Sequence, residues 1–154
     1  MSGRLIGIAR KAKPFAPVEE LIQATVSLAA GIGGDARGKV TNAQVTVVFR
    51  QDWEAACREL EAALPWTMRR ANLYVEGVPC PMQPGARLGI GEVVLEVVEE
   101  THPCARMDQQ HPGLKAALTP HWRGGVRCNV VLAGDIRLGD AVAVTMAEEA
   151  VEAA

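Results

Sequence analysis

The chain has 154 residues, enough for one domain with a core of its own. Hydrophobic residues make up 49% and charged ones 22%, and no segment approaches the roughly 20 apolar residues that cross a bilayer, which excludes a disordered chain and a helical membrane span. The formal charge of −2 excludes a global pull toward nucleic acid or anionic membrane, so local arginines must hold any anionic ligand.

The start, MSGRLIGIAR, has too short an apolar run for a signal peptide and no small-residue cleavage site after it. A cytoplasmic location is expected, where Cys57, Cys80, Cys104 and Cys128 stay reduced. They form no C-x-x-C pair, which argues against a zinc ribbon or a thioredoxin-like motif.

In chain order, RLIGIA (4–9) reads as a first strand, and Pro14 and Pro17 then break the chain. Residues 18–27 are rich in β-branched types and read as a strand; GIGGD (31–35) reads as a loop, because glycine permits positive φ. QVTVVF (44–49) reads as a strand. The pattern then changes: in DWEAACRELEAAL (52–64), Trp53, Ala56, Cys57, Leu60 and Leu64 fall on one helical face. Asp52 is placed to cap this helix and Pro65 to stop it.

Residues 72–75 form a short expected strand. In the valine-rich segment 87–101, Val93, Leu95 and Val97 alternate with Val94, Glu96 and Val98. Residues 112–118 read as a short helix with proline in its first turn. Residues 129–132 and 141–145 are further strands, and 148–154 a frayed or disordered tail. GARLG (85–89) and IRLGD (136–140) echo one another as turns feeding barrel strands. Many short strands between glycine turns, with one or two helices, indicate a β-barrel-like domain and not a βαβ fold.

The densest chemistry lies in THPCARMDQQHPG (101–113). His102, Cys104 and His111 are candidate zinc ligands, but one intervening residue and no second pair depart from structural zinc spacing. In an extended segment, His102, Cys104 and Arg106 share a face, and a neighbouring cation favours the thiolate, the nucleophilic form. The alternative is an inert structural cysteine, as Cys57 is expected to be on its apolar helix face. Arg69, Arg70 and Asn72 precede a strand, and Arg123 and Arg127 flank Gly124 and Gly125. Arginine and glycine turns suit phosphate, although solvated turns read the same way and no P-loop or dinucleotide fingerprint is present.

Taken in order, GIGGD (31–35), RGKVT (37–41), RANL (70–73), GARLGIG (85–91), PCARM (103–107), RGG (123–125) and GDIRLGD (134–140) resemble the MOSC domain family, named after the C-terminal domain of molybdenum cofactor sulfurases. The resemblance covers nearly the whole chain. It implies a mainly β, closed barrel-like fold with minor α content, as one domain over 1–147. It implies the molybdenum cofactor (molybdopterin) as ligand and, as an associated property, pyridoxal phosphate binding. It implies that Cys104 carries sulfur as a persulfide or binds molybdenum as a thiolate. Arg37, Arg69, Arg70, Asn72, Arg106, Arg123, Gly124 and Gly125 match positions near the cofactor's phosphate and pterin.

Three functions follow from the resemblance. One is a sulfur carrier or cofactor-handling protein served by a cysteine desulfurase or another sulfur donor. The second is a molybdenum-dependent reductase of N-hydroxylated compounds, which needs an electron-transfer partner. The third is a non-catalytic binding module. Some relatives carry a second cysteine where this chain has Met107, so no thiol pair forms there. These residues include no aminotransferase-like region to generate sulfur.

Overall fold

The computed structural model describes residues 2–38 and 43–147. The expected tail at 148–154 lies outside the described residues, as do Lys39 and Thr41. In chain order the strands are β1 (Ser2–Arg10), β2 (Glu19–Leu21), β3 (Gln23–Ser27), β4 (Gly31–Ile32), β5 (Val45–Phe49), β6 (Leu73–Glu76), β7 (Arg87–Ile90), β8 (Val93–Glu100), β9 (Val126–Leu132), β10 (Gly134–Arg137) and β11 (Ala141–Thr145). The helices are α1 (Arg50–Leu60), α2 (Ala105–Gln110) and α3 (Leu114–Leu118).

Seven strands close into a barrel in the order β11, β7, β8, β9, β5, β6, β1, with β1 pairing again with β11. β2 extends the sheet beyond β1. Closure leaves these seven without a free edge. Period-2 burial in β8 turns Val93, Leu95 and Val97 inward, as the alternation of the sequence predicts. Leu5, Ile8, Val47, Phe49, Leu73, Leu88 and Ile90 complete the barrel interior. Burying each such side chain contributes about 1.5–3 kcal/mol.

The pairing of β5 with β6 is parallel, Val47 opposite Leu73 and Phe49 opposite Val75. A parallel pair needs a crossover, and α1 with the turn Trp66–Arg69 supplies it. The barrel therefore contains a β–α–β crossover within an otherwise antiparallel sheet. α1, α2 and α3 cover this side and form a second core of Val48, Trp53, Ala56, Tyr74, Met107, Leu114 and Leu118.

Local boundaries differ from expectation for identifiable reasons. The helix begins at Arg50, with Phe49 at the N-cap, and Asp52 makes no capping bond. It ends at Leu60 because Glu61 turns left-handed (φ 52°), not because of Pro65. Leu64 is folded back onto α1, its carbonyl accepting from Trp53 Nε1 at 2.9 Å. Residues 18–27 divide: β2 stays on β1, and β3 leaves to pair with β10 and β4 in a small separate sheet. β10 had read as a turn, since Ile136 is its one buried residue. The segment 87–101 is a hairpin, turned at Gly91 (φ 56°) against the Asp140 carboxylate. α2 lies where a loop was expected. Pro112 precedes α3, whose cap is Gly113 at φ 87°.

Candidate functional site

The residues following β1 supply Lys11, Lys13, Pro14 and Phe15 to the wall of a cavity of about 340 Å³. The turn after β4 adds Asp35, Ala36 and Arg37. Thr46, Arg69, Arg70, Asn72 and Thr101 also line it, as do Cys104, Arg106 and Met107 around the start of α2. Lys11, Lys13, Arg37, Arg69, Arg70 and Arg106 thus meet at one place, with Asp35 as the single carboxylate of the lining. A chain of net charge −2 thus places six of its 16 Lys and Arg residues here.

Arg69 is the most telling of them. It is 7% exposed, at the end of the Trp66–Arg69 turn. Its Nε donates to Gly124 O and one terminal nitrogen to Thr101 O, each at 3.1 Å. No carboxylate pairs with it among the described residues. Burial pushes its pKa down to about 10; Cys104 raises it and Arg37 lowers it further. Holding this charge in the fold costs on the order of 3 kcal/mol at neutral pH, and a bound anion offsets that cost.

Asp35 organises the rim. Its carboxylate accepts from the backbone N–H groups of Lys11 at 2.9 Å and Arg37 at 3.2 Å, joining two loops. Arg106 stacks on Phe15, 4.2 Å from the ring centroid. Phe15 is 70% exposed and held at φ 67°, a costly conformation for a bulky residue. Asn72 reaches the cavity, but its amide joins strands, accepting from Thr46 N and donating to Ala9 O.

Cys104 is exposed and stands at the N-cap of α2 with extended backbone. Its carbonyl accepts from Met107 N–H at 2.9 Å, while its thiol makes no capping bond. Met107, 2% exposed, anchors α2 in the helical core. The segment is therefore not one extended face. His102 is 76% exposed on its side chain, lies with Nδ1 3.6 Å from a Glu100 oxygen and is absent from the lining, whereas the helix brings Arg106 into it. Among the described residues no group of three or more His, Cys, Asp and Glu side chains is arranged to hold a metal ion.

Arg123, Gly124 and Gly125 lie outside the lining. Arg123 is spent on Glu59 at 2.8 Å and Ala117 O at 3.0 Å. The glycines serve close backbone approach: an added Cβ would lie 2.5 Å from Thr101 O at position 124 and 2.1 Å from Val47 O at position 125. The Gly125 N–H is already given to Trp122 O. The Gly124 carbonyl holds Arg69 from behind, whereas Arg123 ties α3 to Glu59 of α1. Conversely, Lys11, Lys13 and Phe15 had not been read as site residues. The run RKAKPF (10–15) was the available signal.

The fold is thus a small closed barrel carrying an arginine-rich cavity with an exposed thiol on its wall. The MOSC domain model matches residues 32–143, and the chain belongs to that family, which is associated with molybdenum-cofactor-related function. Solved structures agree on the fold. The YuaD protein of Bacillus subtilis superposes with a TM-score of 0.82 at 16% identity, over 95% of this chain and 97% of that one. YiiM from Escherichia coli gives 0.66 at 14% identity, over 96% and 75%. YiiM from Geobacillus stearothermophilus gives 0.64 at 13%, over 93% and 73%. No curated protein matches.

Proposed function

We propose that this protein handles the molybdenum cofactor, holding its phosphate in the arginine cavity and using Cys104 as the sulfur-carrying thiol. The observation that carries the reading is Arg69: a buried guanidinium without a carboxylate partner among the described residues, its charge felt alongside that of Cys104. A buried charge of this kind calls for an anion, and guanidinium matches phosphate with parallel hydrogen bonds. The donor set suits the cofactor at both ends, with arginines for phosphate and a soft thiol for molybdenum or sulfur.

Arg69 and Arg70 would hold the phosphate, with Lys11 as a further cation. Cys104 stays exposed, so a donor protein can reach it. In sulfur transfer, the Cys104 thiolate attacks the terminal sulfur of a donor persulfide. The bond between the two donor sulfurs breaks, the donor leaves as a thiolate, and Cys104 retains the sulfur as a persulfide. No net oxidation is needed. When bound, the cofactor supplies a molybdenum centre able to accept a thiolate or sulfido ligand.

The test has two arms. Protein from a host that makes the cofactor is analysed for molybdenum and for fluorescence of the oxidised pterin. Separately, purified protein is incubated with a cysteine desulfurase and cysteine and examined by intact mass. The expected results are copurified pterin and the gain of one sulfur atom that reductant removes, with the sulfur gain absent in Cys104→Ser. If Cys104→Ser gains sulfur like the parent, the carrier role is wrong; if pterin is absent, cofactor binding is.

A further inference from the structure

The cavity holds more positive charge than one phosphate balances. Among the described residues six cations line it against one carboxylate, and both oxygens of that carboxylate face backbone N–H groups. Among the described residues, no ion pair engages Lys11, Lys13, Arg37, Arg69, Arg70 or Arg106. The charges act on one another. The Lys11 pKa is lowered by burial first, then by Arg70, Arg106 and Arg37, against an opposing effect of Asp35. A phosphate monoester brings about −1.5 to −2 at neutral pH, which leaves most of this excess unanswered.

The cations also occupy two levels. Arg69 is buried and bonded to Thr101 O, whereas Lys13, Arg37 and Arg106 are exposed. Arg106 is held over the exposed ring of Phe15 instead of an acid, which keeps its charge available. We propose that the natural ligand carries two linked phosphoryl groups, a diphosphate, with one group at Arg69 and Arg70 and the second at Lys13 and Arg37. This rests on the reading of the cavity as the ligand site, and it adds a second anionic group to the single phosphate required there.

Calorimetric titration of the intact protein with inorganic phosphate and with pyrophosphate tests the proposal. Pyrophosphate is expected to bind at least tenfold more tightly, with a steeper loss of affinity as salt is raised. In Lys13→Ala/Arg37→Ala, two exposed positions whose fold is checked by circular dichroism, that advantage should fall to about twofold or less, with phosphate binding retained. Equal affinity of the parent for the two probes overturns the diphosphate proposal and leaves the anion cavity standing. A pyrophosphate preference that survives the double substitution also overturns it, because the second group then lies elsewhere. Failure of both probes to bind overturns the anion cavity itself, and with it the proposed function.

Discussion

The turn Trp66–Arg69 borders two clefts. Beyond Trp66 a groove of about 1030 Å³ runs beside α1; around Arg69 lies the cavity of about 340 Å³. Each cleft has one cysteine on its wall, Cys57 in the groove and Cys104 in the cavity. In the groove the charges balance: Arg50 and Arg58 face Glu54 and Glu61, and Arg50 is paired with Glu54 at 2.7 Å and Glu76 at 2.8 Å. Its floor is the Trp66–Tyr74 stack, with centroids 5.1 Å apart and planes 4° from parallel, laid over Gly7. In the cavity the cations have no such partners among the described residues. Size alone would select the groove. Uncompensated charge selects the cavity, because a fold tolerates unpaired buried charge only where something else repays it.

The sharpest way to break this comparison is through the two thiols. Alkylation near neutral pH followed by peptide mapping should label Cys104 first and the half-buried Cys57 much later. Cys80 and Cys128 should come last, since burial above all pushes both thiols up, beyond the ordinary thiol range. Cys104→Ser should lose sulfur acceptance and Cys57→Ser should keep it. Faster labelling of Cys57 would exchange the roles of the clefts.

A smaller effect separates the arginines. Arg70→Ala should weaken phosphate or cofactor binding by about 1.5–3 kcal/mol, the value of a charge-assisted hydrogen bond. Arg50→Ala, on the groove side, should leave it unchanged. Calorimetry on both variants decides, and equal losses would mean that long-range charge matters more than position.

Asp52 offers a contrast between kinds of unpaired charge. One of its oxygens is buried without a partner, and burial raises the carboxyl from 3.8 to about 6 against the opposing effects of Arg123 and His121. Its folded pKa exceeds its unfolded one, so the stabilising contribution is present below pH 3.8 and lost as pH rises through 6. Asp52→Asn should therefore gain about 1–2 kcal/mol above pH 7, after discount for solvent screening, and little at pH 4. Denaturant melts at the two pH values measure this. A gain independent of pH would point to a cause other than ionisation.

The smallest effect is expected at Arg123. Its pair with Glu59 is partly exposed, so Arg123→Ala should cost about 0.2–1 kcal/mol of stability and leave anion affinity alone. Lost affinity in a folded variant would return Arg123 to the site.

Much of the barrel was legible because its signals are local. The alternation in β8 and the composition of β1 and β5 state which face is buried before any partner is known. The face of α1 was visible for the same reason, although its ends were not: a left-handed glutamate and a folded-back Leu64 are not written in periodicity. β10, with one buried residue, had no pattern to read. The motifs grouped Arg69, Arg70 and Cys104 by resemblance, and their order along the chain located the candidate wall.

The sequence by itself determined the class of domain, the inward face of β8, and a short set of candidate residues for meeting an anion or offering a thiol. Tertiary structure alone decided which of them meet. It withdrew Arg123, Gly124 and Gly125 from the lining, tied the Asn72 amide to neighbouring strands, and started a helix after Cys104 that brings Arg106 to the cavity and leaves His102 outside. It also added Lys11, Lys13 and Phe15 from a loop far away in sequence. The physical reason is range. Periodicity and turn chemistry act over a few residues, whereas a guanidinium's partners, burial and field depend on strands and loops that only closure of the barrel brings together.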